Sequence, residues 1–188
     1  MDGAKLIVAS APGLDRLPVD PRSTAAIWRA LGTVVDPEIP FVRVVELGIV
    51  RGVERSGDEC VVTITPTYSG CPAMRVIEAD VRAAAEAATG VRVRVSTVLA
   101  PAWTTDWIAP EARRRLREAG IAPPHAIAGT SSPERTQPIR FHRAPAAVRC
   151  PNCGSLQTSE LARFGSTACK AQYRCADCLE PFDYFKPH

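Results

Sequence analysis

Four cysteines constrain this chain more than any other feature: Cys150-Pro151-Asn152-Cys153 and, after twenty-one intervening residues, Cys175-Ala176-Asp177-Cys178. A two-residue gap lets both sulfurs of a pair reach one ion from a single turn. Two such knuckles about twenty residues apart close a tetrahedral thiolate site. Gly154 gives the first turn the backbone freedom such a turn often needs. The spacing predicts a zinc ribbon over residues 149–188, with Cys150, Cys153, Cys175 and Cys178 as ligands. Two disulfides, or four unligated thiols, are the competing reading. Iron in a rubredoxin-like redox centre suits the same ligands. A closed four-sulfur site has no open coordination position, so its default role is structural.

A segment of about forty residues rarely buries enough apolar surface to offset its chain entropy, and a metal supplies the missing free energy. Alternation at residues 156–161 and 170–174 predicts a hairpin. Residues 181–185 add a third strand, with Phe164, Phe182 and Phe185 packing near the metal. Cys169 lies six residues before Cys175 and fits neither knuckle. Three roles are open to it: a substitute ligand, a reactive thiol activated by Lys170, or a buried inert cysteine.

The chain has 188 residues, 46% of them hydrophobic, which suits one domain of about 120 residues and a small module. Its expected divisions are a disordered tail (1–18), an α/β domain (19–120), a proline-rich linker (121–148) and the ribbon (149–188). No apolar run approaches the ~20 residues that span a bilayer, so no membrane partner is expected. Seven cysteines, four of them in a metal pattern, fit the reducing cytoplasm. Residues 1–120 carry fifteen Lys/Arg and fifteen Asp/Glu, a weak footprint for nucleic acid. Arg113-Arg114-Arg115 with Arg117 reads as a solvated helix face. His125 and His142 lack ligand-like spacing and read as exposed.

The first domain alternates helix and strand. Asp20-Pro21 makes a helix start, and Ile27, Leu31 and Val34 recur at helical spacing before the prolines of Asp36-Pro37-Glu38-Ile39-Pro40. Strands are predicted at 49–54, 60–65 and 91–95, and a second helix over 72–88. The fold class is α/β (α+β), a small mixed sheet of three or four strands followed by the ribbon. Cys60, in an apolar strand, reads as core.

The chemically interesting turn is Thr65-Pro66-Thr67-Tyr68-Ser69-Gly70-Cys71-Pro72. With Pro72 at the first helical position, Cys71 becomes the N-cap, where the helix dipole favours a thiolate. Cys71 is thus a candidate nucleophile or soft-metal ligand. Asp36 and Glu38 are candidates to bring carboxylates to the same rim, or else only cap a proline turn. No histidine outside the linker and terminus is available as its base, which makes a covalent enzyme the weakest reading.

These motifs, with Val45-Glu46-Leu47-Gly48-Ile49-Val50, resemble the domain shared by bacterial SufT-like proteins and eukaryotic cytosolic iron-sulfur targeting factors. Adding Phe164-Gly165-Ser166-Thr167-Ala168-Cys169-Lys170 and Glu180-Pro181-Phe182-Asp183-Tyr184-Phe185-Lys186, the whole is similar to the PaaD (PaaJ) family of small subunits encoded with the multicomponent phenylacetyl-CoA epoxidase. The resemblance implies a non-catalytic accessory of aerobic phenylacetate catabolism that helps assemble an iron or iron-sulfur centre. It also implies the oxygenase and reductase subunits as partners and Cys71 as the residue that handles transient iron or a cluster. A homodimer is left open. The alternatives are a structural or electron-transfer subunit of the epoxidase, or a zinc-ribbon binding module. Neither the paired Glu-x-x-His helices of a di-iron oxygenase nor a dinucleotide glycine fingerprint is present.

Overall fold

The computed structural model describes residues 23–56, 58–125 and 147–187. The tail 1–18, the Asp20-Pro21 start, Gly57, most of the expected linker, His142 and His188 lie outside the described residues. The chain divides into two compact units, Met1–Trp103 with Trp107–Ala112, and Thr104–Asp106 with Arg113–His188.

In the first unit α1 (Thr24–Leu31) starts from Ser23, whose side chain accepts the Ala26 N–H at 3.4 Å and satisfies one orphan amide of the first turn. Ile27 and Leu31 are fully buried, and Val34 is buried beyond the helix end. The hairpin of β1 (Val35–Asp36) and β2 (Ile39–Arg43) follows. The main sheet has the order β3 (Val50–Ser56), β4 (Glu59–Ile64), β5 (Arg92–Thr97). Strands β3 and β4 are antiparallel, whereas β4 and β5 are parallel, because α2 (Met74–Thr89) forms the crossover between them. Val93 is buried between exposed Arg92 and Arg94, as the alternation predicts. Ile77, Val81 and Ala85 of α2 share the core with Cys60, Val62 and Ile64.

Helix α2 begins at Met74 and not at Pro72. The residues before it form turns instead, with the Cys71 N–H on the Tyr68 carbonyl and the Met74 N–H on the Cys71 carbonyl. At the other end Gly90 adopts φ 66°, the left-handed stop that glycine permits. Gly48 has φ 70°, and a Cβ there would come within 2.7 Å of the Trp107 Cβ, so this tight turn excludes a side chain. The Trp103 indole and the Ala109 amide donate to the carbonyls of Leu47 and Glu46, both at 2.8 Å, and bind the segment after β5 to that turn.

The second unit is built on a four-stranded sheet of order β6 (Ile121–Ala122), β9 (Pro181–Phe185), β8 (Lys170–Cys175), β7 (Thr158–Ala162). The neighbours β7, β8 and β9 run antiparallel, and β6 lies parallel to β9. Residues 121 and 122, whose setting reads as linker in sequence, are therefore the edge of the ribbon sheet. The buried cluster joins Ala122, Val148, Tyr173, Phe182 and Tyr184 to Cys150 and Cys175. Phe182 thus packs beside the cysteines, but Phe164 does not: it is 66% exposed, with the Lys186 ammonium 4.4 Å from its ring. Helix α3 (Pro110–Glu118) carries the arginine cluster. Within the second unit Arg113 is partly buried and donates to the Thr105 and Pro124 carbonyls, a packing role that the charge run did not reveal.

Candidate metal centre

The two knuckles repeat one local structure. Each has the form Arg-Cys-x-x-Cys-x-x, residues 149–155 and 174–180. The first cysteine amide donates to the carbonyl five residues on, Cys150 to Ser155 at 2.9 Å and Cys175 to Glu180 at 3.1 Å. The residue after the second cysteine is left-handed in both, Gly154 at φ 79° and Leu179 at φ 64°. The arginine ahead of the pair donates to that residue's carbonyl, Arg149 to Gly154 at 2.6 Å and Arg174 to Leu179 at 3.3 Å. The knuckles are bound to each other by the Ser155 hydroxyl on the Asp177 carboxylate and by the Ala176 amide on the Gln157 carbonyl.

This brings the four sulfurs of Cys150, Cys153, Cys175 and Cys178 within 4.8 Å of one another. Cys150 and Cys178 are 3.7 Å apart, and Cys153 and Cys175 3.5 Å. Four thiolates about 2.3 Å from one ion at tetrahedral angles stand about 3.8 Å apart, so the donor set fits a soft metal ion. Backbone amides prepare the charge. The amides of Cys178 and Asp177 face Cys175, whose thiol is held down to about 7 against its burial. Cys178 accepts the Glu180 amide, yet burial and the facing thiols push it up to about 12. Cys153 accepts the Ser155 amide and is also raised, by Cys175 and by burial. A bound metal would replace these protons.

Cys169 stays outside this cluster. It is 5% exposed, with the Thr167 hydroxyl 3.0 Å from its sulfur, and neighbouring Lys170 is turned to Asp183 at 3.6 Å. The ion pair engages the lysine expected to activate the thiol.

The first unit brings Cys71, Asp36 and Glu38 into electrostatic reach. Asp36 is 7% exposed, and its Oδ1 accepts the amides of Glu38 at 2.7 Å and Ile39 at 3.1 Å, which orders the carboxylates of the hairpin turn. The half-buried Cys71 thiol is raised, contrary to the expectation of ready ionisation. Burial raises it most, the Ala73 amide lowers it, Glu38 and Asp36 raise it further, and the Met74 amide lowers it. The helix start does offer two amides, but desolvation and two anions outweigh them. A cation arriving there would be drawn by the two carboxylates and would itself have to favour the thiolate against them. Cys60 is 1% exposed and raised by burial, a core residue.

Residues 24–97 match the family described as iron-sulfur cluster assembly protein, and residues 134–186 match the PaaD zinc beta ribbon domain. A protein of Escherichia coli strain K12, named as a putative subunit of 1,2-phenylacetyl-CoA epoxidase, is 46% identical over 168 residues, 89% of this chain and 95% of its own. The chain belongs to the PaaD family. Its PaaD likeness therefore spans both units. Part of the chain, 67 residues or 36%, is 43% identical to 19% of an iron-sulfur cluster carrier protein of Deinococcus radiodurans. Two solved structures are similar at 29% identity. A domain of unknown function, DUF59, from Bacillus anthracis covers 48% of this chain and 87% of its own with TM-score 0.45. A conserved hypothetical protein from Thermotoga maritima covers 50% and 93% with TM-score 0.44.

Sequence reasoning missed Arg149 and Arg174. The signal was present, since an arginine precedes both cysteine pairs, but an isolated Arg-Cys step has no meaning until the carbonyl it reaches is known. Among the described residues no helix is long and apolar enough to cross a membrane.

Proposed function

We propose that this chain is an accessory subunit of a phenylacetyl-CoA epoxidase system, and that its first unit receives iron, or an iron-sulfur centre, for the oxygenase or reductase subunits. The observation that carries this reading is Cys71, in the turns before α2, within electrostatic reach of Asp36 and Glu38 of the β1–β2 hairpin, all inside the stretch that matches the iron-sulfur assembly family. A protonated thiol within electrostatic reach of two carboxylates suits a cargo that must leave again: taking up the cation releases a proton, and protonation assists its release. In the ribbon, Cys150, Cys153, Cys175 and Cys178 hold zinc as a structural ion, and Arg149 and Arg174 orient the turns around it. Zinc there would supply folding free energy and no open coordination position. The chain has no turnover of its own in this account.

The test is anaerobic titration of the zinc-loaded full chain with ferrous iron. One further iron per chain is expected, bound in the wild type and lost in Cys71→Ala while ribbon zinc is retained. Equal iron binding by both proteins would remove Cys71 from the account.

A further inference from the structure

Leu179 occupies a backbone position that the paired knuckle gives to glycine. Gly154 and Leu179 each follow the second cysteine of their pair, at φ 79° and φ 64°. A residue with a Cβ is disfavoured in that region, and a leucine more than an asparagine. The leucine recovers little inside the chain, because it is 61% exposed. Leu156, three residues after Cys153, is 47% exposed. The links between Ser155 and Asp177 and between Gln157 and Ala176 place both leucines at the metal-bearing end of the ribbon.

Charge indicates what would cover them. A dication held by four thiolates carries two surplus negative charges. Arg149 and Arg174, one in each knuckle, carry two positive charges that match them in number. The remaining charges of the two knuckles are the carboxylates of Asp177 and Glu180, both exposed and on either side of Leu179 in the chain. An apolar tip between carboxylates fits an apolar pocket with a basic rim.

We infer that the metal-bearing end of the ribbon is a docking surface, in which Leu179 enters an apolar pocket rimmed by lysine or arginine on an epoxidase subunit. The inference rests on the reading that the chain serves those subunits. It adds a division of labour: the ribbon holds the client while the first unit carries the cargo.

The test is the affinity of the metal-loaded full chain for purified epoxidase oxygenase and reductase subunits. Leu179→Gly and Leu179→Asn both relieve the backbone and remove the apolar side chain. Both are expected to keep the wild-type metal content and to melt at or above the wild-type temperature. Their dissociation constants should rise about tenfold to a hundredfold, as when a buried aliphatic anchor is lost. Glu180→Gln should slow association and flatten its salt dependence. Unchanged affinity in both Leu179 variants overturns the docking surface and leaves the maturation role standing. A Leu179→Gly chain that melts well below the wild type also overturns it, since the leucine would then be structural. Absence of binding between the wild-type chain and every epoxidase subunit overturns both readings.

Discussion

Arg149 and Arg174 make the same contact in the two knuckles, each donating a guanidinium N–H to the carbonyl of the left-handed residue after its cysteine pair. Each bond holds the turn whose amides face the sulfurs. Arg149→Ala or Arg174→Ala should therefore weaken metal binding by about tenfold to a hundredfold, as the loss of an outer-shell partner does. Competition with a chromophoric chelator measures this. Wild-type affinity in both variants would show the contacts to be incidental.

The ribbon should also bind its metal with a steep pH dependence. At neutral pH the raised Cys153 and Cys178 thiols are protonated, Cys178 near 12, while Cys175 near 7 is partly ionised. At least two protons must then leave as the ion enters, so affinity rises with pH by roughly a hundredfold per unit between about pH 6 and 8. Proton release on metal addition in weak buffer gives the same number directly. Binding without proton release would mean that the sulfurs are already ionised.

How much of this was legible in the sequence depended on the range of each interaction. The knuckles, β9 and the alternation of β5 were readable because each is set by a few neighbouring residues. Helix α1 was read only in part: its first described residue is Thr24, with Ser23 as cap, and the expected Asp20-Pro21 start lies outside the described residues. Ile121 and Ala122 were unreadable because their partner, β9, lies some sixty residues further along the chain. The Cys71 thiol was misjudged for a related reason. A local rule gave it a helix start, but its direction is decided by burial and by Glu38 and Asp36, more than thirty residues earlier.

That correction has a measurable consequence. Cys71 should react with iodoacetamide more slowly than free cysteine at neutral pH, with a labelling midpoint above the ordinary thiol value of 9.0. Glu38→Gln removes one anion facing the thiolate, so the midpoint should fall and labelling should quicken. Asp36→Asn should act in the same direction while its Oδ1 still accepts the turn amides. Faster labelling of the wild type than of either variant would mean that the carboxylates do not face the thiol.

The most direct measurement of the central claim is the iron content of the epoxidase complex from cells in which this chain carries Cys71→Ala. The account predicts assembled complex poor in metal, cells that fail to grow on phenylacetate, and epoxidation restored in vitro by supplying iron without this chain. A fully metallated complex that still requires the chain for each turnover would contradict it, and would make the chain a working subunit of the epoxidase.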